Sequence, residues 1–196
     1  MDKDQALSTL LAEALTLAAF EGWGESMMKN ACEQAAISES EYIRACPNGP
    51  IDLIRFWMNS TDEAMETFAK EADLDTLKVR ERIKQLILFR LEHFSRHREA
   101  VRKACFTLAL PWNAATNIEL LGQTIGRMWR LAGDTSNDYN WHTKRLLLSG
   151  IYTSTLMCWF SDESDDFIDT KAFLDRRIEN VMTVGSFIGR TIKKAS

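Results

Sequence analysis

At 196 residues and 22.4 kDa, with 45% hydrophobic and 27% charged residues, the chain can bury a real core and fits one domain, or a small domain ahead of a larger helical one. Nine Gly and three Pro exclude long disordered linkers and a turn-rich β architecture, and a net charge of −4 offers no bulk attraction to nucleic acid. The cysteines Cys32, Cys46, Cys105 and Cys158 form no CxxC pair, which excludes a zinc site or disulfide frame and reads as reduced thiols of a cytosolic protein.

Met1 leads into "DKDQALSTLL", acidic and amphipathic, so neither a signal peptide nor a transit peptide is expected. Leu7, Leu10, Leu11, Ala14, Leu15 and Ala18 mark one face of a first helix, which stops at "EGWGES". A short second helix covers Ser26 to Ala36. Ser38 followed by Glu41 is a capping box for a third, and "CPNGP" breaks the chain after it. Ile51 to Phe68 marks the fourth helix, and Leu74 to Phe94 the fifth. The sixth runs from Arg98 to Leu110 before Pro111, and the seventh from Trp112 to Leu131 before Gly133. The eighth lies in "DYNWHTKRLLLSGIYTSTLMCWFSDES", and the ninth runs from Asp166 to Lys193. No segment alternates with a period of two, so the class is all-α, about nine helices. Residues 1–48 read as a small helix-turn-helix module and 49–196 as a helical ligand domain.

The eighth helix raises its own question. From Leu146 to Ser161 it carries no charge, whereas a surface helix normally keeps one polar face. Its small residues Ser149, Gly150, Thr153, Ser154 and Thr155 permit close approach of a helix or a ligand. At roughly 16 residues the run is too short to span a bilayer.

Three short helices ahead of long ones resemble the TetR repressor layout, with Gly22 and Gly24 at the first break and Ser38 to Ala45 as the recognition helix. The charges oppose DNA binding. Residues 1–58 hold four basic against nine acidic side chains, and the recognition helix presents Glu39 and Glu41. His93 and His97 stand four apart, as zinc ligands would, but among Arg96, Arg98, Glu92 and Glu99 they read as a solvated face. No Glu-x-x-His pair supports a di-iron site. No GxSxG, GxGxxG, P-loop or HExxH motif appears, so no enzyme is expected and no catalytic residue or metal ligand is assigned. Inward helical phases mark Ile83, Ile87, Phe106, Leu110, Trp112, Met128, Leu147 and Ile151 as the lining of an apolar cavity.

One region is more specific. Within Asp138 to Met182, the pattern Asp138, Trp141, Thr143-Lys144-Arg145, Tyr152, Asp162-x-Ser164, Phe167-x-Asp169-Thr170 and Phe173-Leu174-x-x-Arg177-Ile178 resembles the ubiquinone (coenzyme Q) biosynthesis accessory lipid-binding family, in its bacterial form. The resemblance implies a TetR-like homodimer whose first domain no longer reads DNA. It implies a cavity that binds isoprenoid or phospholipid and a role in presenting quinone intermediates to the ring hydroxylase of the pathway. No cofactor is implied beyond that bound lipid or quinone intermediate.

Carried over position by position, the hydroxylase contact would fall on Met128, Asp138, Trp141 and Arg145. His142 replaces the aromatic residue common beside them. The resemblance further implies a cytoplasmic protein peripheral at the inner face of the membrane, although the amphipathic membrane helix of mitochondrial members is not recognised in this sequence. "GSFIGRTIKKAS" reads either as a short interfacial foot on anionic lipid or as a cationic helix end suited to the helix dipole. The rival expectation is a TetR-type ligand-responsive transcriptional regulator.

Overall fold

The computed structural model describes the backbone of residues 2–134 and 140–194 and the side chains of 2–134 and 142–181. Within them the chain is helical with no strand. The helices are α1 (Lys3–Glu21), α2 (Glu25–Gln34), α3 (Glu39–Ala45), α4 (Pro50–Glu71), α5 (Val79–Phe94), α6 (Arg98–Leu108), α7 (Ala114–Leu131), α8 (Asn140–Phe160) and α9 (Ile168–Lys194). The local signals act as expected. Gly22 ends α1 at φ 82°, and Ser38 and Glu41 close a reciprocal capping box on α3. One boundary differs. Asp73 adopts a left-handed φ of 46°, so Leu74–Thr76 form a separate 3-10 turn and α5 starts only at Val79.

Packing divides the chain into two compact units, residues 1–65 with 92–121, and residues 66–91 with 122–196. The break at Pro47 to Pro50 is a turn inside the first of these units. The reason is α6, which packs on α1 and brings residues beyond 91 back to the amino-terminal helices. In this unit Trp23 donates its indole N–H to Ala100 O (3.0 Å), and its ring lies 5.8 Å from Trp57, which meets Phe94 edge-on at 5.2 Å.

In the second unit α8 packs on α9. Leu148, Ile151, Tyr152, Thr155, Leu156 and Trp159 of α8 are buried, a stripe at helical spacing. Arg90 is fully buried beside this stripe and donates from Nε to Tyr152 Oη (3.1 Å). The link from α8 to α9 is fastened by buried Asp162, which accepts from Ser164 N (2.8 Å) and Thr170 N (2.8 Å) and from both their hydroxyls. Burial by itself would raise the Asp162 carboxyl; the bonds from Ser164 and Thr170 outweigh it and hold it down to about 2.

Candidate functional site

Four segments of the second unit converge on a cavity of about 760 Å³. The entry to α5 supplies Lys78, Val79, Arg80 and Ile83, the end of α7 supplies Trp129, Gly133 and Asp134, and α9 supplies Ile178 and Val181. From α8 come Lys144, Leu147, Leu148 and Ile151, spaced at one helical turn. Most of this wall is apolar.

The frame is held by Arg82. Its guanidinium donates to Leu77 O (2.8 Å), Asp75 Oδ1 (2.9 Å) and Asp75 O (2.6 Å), fixing the turn before α5. Gly133 follows α7 at φ 84°, where a Cβ would lie 3.0 Å from Arg82 Nη1. Glycine supplies both the left-handed turn and the space. Lys84 Nζ meets Asp175 Oδ1 at 2.6 Å and ties α5 to α9.

Two polar features interrupt the wall. Lys144 Nζ lies 2.7 Å from Asp134 Oδ1 and 5.8 Å from the centre of the Trp129 ring, so the cation carries its counterion with it. The indole N–H of Trp129 is shielded from solvent and has no acceptor. A buried donor without a partner costs about 1–3 kcal/mol.

Of the residues expected to line the cavity, Ile83, Leu147 and Ile151 do so. Ile87 and Met128 are fully buried in the core of the same unit and are not in the cavity wall. Phe106, Leu110 and Trp112 belong to the first unit and are exposed, because the buried phases of α6 are taken by Ala100, Val101, Ala104 and Leu108. Sequence reasoning missed Trp129, Leu148, Ile178 and the Asp134–Lys144 pair. Leu148 was readable from its one-turn spacing to Ile151. Trp129 was not, since nothing local shows which ring of a bundle meets a void.

The expected partner surface is divided. His142 is exposed and Arg145 half-buried on the first turns of α8, whereas Met128 is fully buried and offers no contact surface. Trp141 lies in the first turn of α8 with its side chain outside the described residues, and Asp138 lies outside them altogether. His93 belongs to the last turn of α5 and His97 to the 3-10 turn Ser95–His97, so they do not share one helical face. Burial and the nearby Arg96 push the His97 imidazole down in pKa. Among the described residues no group of three or more His, Cys, Asp or Glu is placed to hold a metal ion.

Comparison with known proteins gives this geometry a context. Residues 114–185 match the family model described as COQ9, which contains nearly all of the pattern from Asp138 to Met182 and bears out that resemblance. The chain is 27% identical over 189 residues to the mitochondrial ubiquinone biosynthesis protein COQ9 of Rattus norvegicus, covering 93% of this chain and 61% of that protein. It is 28% identical over 190 residues to COQ9-B of Xenopus laevis, covering 94% of this chain and 65% of the relative. It therefore spans about three-fifths of the length of the curated relatives it matches. Among solved structures, a TetR transcriptional regulator from Nitrosomonas europaea superposes with a TM-score of 0.73 at 23% identity, covering 88% of this chain and 95% of that one. The fold is all-α and TetR-like.

Proposed function

We propose, with similarity to the COQ9 proteins as the premise, that this chain is a non-catalytic, lipid-binding accessory protein of ubiquinone biosynthesis. The cavity receives the tail of an isoprenoid quinone intermediate or the acyl chain of a phospholipid, as a guest and not as a cofactor. The protein then presents the quinone ring to a hydroxylase of the pathway, working as a homodimer peripheral at the inner face of the membrane.

The observation that carries this reading is the cavity itself, a void of about 760 Å³ with a mostly apolar wall. Burying roughly 300 Å² of a hydrocarbon tail at about 25 cal/mol per Å² contributes about 7 kcal/mol before ordering costs. Within the described residues no helix is long and apolar enough to cross a membrane. His142 and Arg145, with Trp141 beside them in sequence, are the proposed hydroxylase contact.

The dimer rests on the outer face of α8. Leu146 is 75% exposed and Met157 55%, with Gly150 between them. The hydroxyls of Ser149 and Thr153 are spent on Arg145 O (2.8 Å) and Ser149 O (2.7 Å), so this face shows mostly carbon outward. The TetR-like fold favours a second reading, a ligand-responsive transcriptional regulator. The four bases and nine acids of residues 1–58 oppose it.

The test is genetic and chemical together. Cells lacking this chain are expected to lose ubiquinone and accumulate its ring-unhydroxylated precursor. The intact gene should restore the quinone, and Leu147→Trp, which pushes a bulkier ring into the cavity, should not. Normal quinone levels without the chain, together with a low-salt gel shift on its own upstream DNA, would transfer the assignment to the regulator reading.

A further inference from the structure

Phe106, Leu110 and Trp112 are greasy and stand outside. Trp112 is 77% exposed and Phe106 59%, and Phe20, at 82%, lies near them because Lys103 Nζ donates to Phe20 O (2.6 Å). Lys103 and Arg102 precede Phe106 by three and four residues on α6, and the Arg102 guanidinium lies 5.6 Å from the centre of the Phe106 ring. Leu110, in extended backbone after the end of α6, leads into the Pro111–Asn113 turn and is also exposed. The Pro111–Asn113 turn is not loose, since Asn113 Nδ2 donates to Thr107 O (2.8 Å) and holds the segment bearing Trp112 against the end of α6. A patch of this kind is uncommon on a protein that stays in water.

The charge beside it is as unusual as the carbon. Residues 96–103 hold Arg96, Arg98, Arg102 and Lys103, four of the eight Lys and Arg in the first unit, against Glu99, one of its fourteen acids. Glu99 is engaged by Arg102 at 2.5 Å. An otherwise acidic unit has thus gathered half its cations on α6 and the 3-10 turn before it, beside the exposed Phe106. Separate rings projecting beside Arg and Lys suit a headgroup layer, where indole and phenyl groups enter the acyl boundary and cations meet phosphate.

We infer that the surface formed by Arg102, Lys103 and Phe106 of α6 and by Leu110 and Trp112 of the turn after it is a docking surface for an anionic lipid membrane. This surface is distinct from the cavity of the second unit and from the carboxyl-terminal segment. Its aromatic residues supply partition into the interface, and its cations select anionic headgroups and make attachment sensitive to salt.

The test is flotation of the full chain with vesicles of phosphatidylcholine alone and of phosphatidylcholine mixed with phosphatidylglycerol. Binding to the anionic vesicles is expected, weakening with added salt. The double variant F106S/W112S should lose about tenfold in partition at an unchanged melting temperature, since both side chains are exposed. Ile43→Ser, an exposed apolar residue elsewhere on the same unit, should bind like the parent. Absence of vesicle binding by the parent chain would overturn the inference, as would equal binding to neutral vesicles or undiminished binding by the double variant.

Discussion

Asp162 shows how one side chain can hold two helices. Its carboxylate accepts from Ser164 and Thr170 and is kept at about 2, against an ordinary value of 3.8. A folded pKa below the unfolded one contributes stability that is complete above the unfolded value and is lost as pH falls toward the folded one. Acid unfolding should therefore show a component between pH 3.8 and about 2 that Asp162→Asn removes. At neutral pH the same variant is expected to cost about 2–3 kcal/mol, because an amide turns donors toward donors; urea unfolding measures it. In the sequence these residues were visible only as a recurring pattern, and the structure gives the pattern its cause. The Asp134–Lys144 pair was invisible by the same means, being set by where α7 ends. Asp134→Asn removes the carboxylate 2.7 Å from the Lys144 ammonium at an otherwise apolar wall, and a several-fold fall in bound lipid is expected by extraction and weighing of lipid per protein.

The uncharged run of α8 is explained at the level of the element. Leu148, Ile151, Tyr152, Thr155, Leu156 and Trp159 face the core, and part of the remainder faces the cavity or outward as an exposed carbon surface. Gly150 gives the sharper test, since a Cβ there meets nothing within 4 Å in this chain. If nothing packs on it, Gly150→Ala should stabilise the protein by about 0.5–1 kcal/mol through helix propensity alone. If a second copy approaches there, Gly150→Glu should convert the dimer to monomer in light scattering while the far-ultraviolet circular dichroism stays helical. A chain already monomeric would refute the seam. Periodicity found this helix but could not divide its two apolar faces, because hydrophobic spacing does not tell a core from a partner. The start of α5 was misread for a related reason. Leu74 continues the apolar rhythm, and only the left-handed Asp73 shows that the helix has stopped.

At the scale of the molecule, helix count, class and the TetR-like arrangement were legible, since capping boxes, glycine stops and apolar stripes are local signals. The division into two units was not, because it depends on α6 returning to α1. The cavity was half legible for the same reason. Ile83, Leu147 and Ile151 have the right phase and reach it, while Phe106, Leu110 and Trp112 are equally apolar but stand on the other unit's surface. Tertiary packing alone separates the two sets. The central claim, that the second unit encloses space for a lipid guest, is tested most directly by native mass spectrometry of the purified chain beside Leu147→Trp. The account predicts adducts with the mass of an isoprenoid quinone precursor or a phospholipid on the parent protein, lost from a variant that melts at nearly the same temperature. A parent protein that flies bare, or a variant that carries the same adducts, would contradict it.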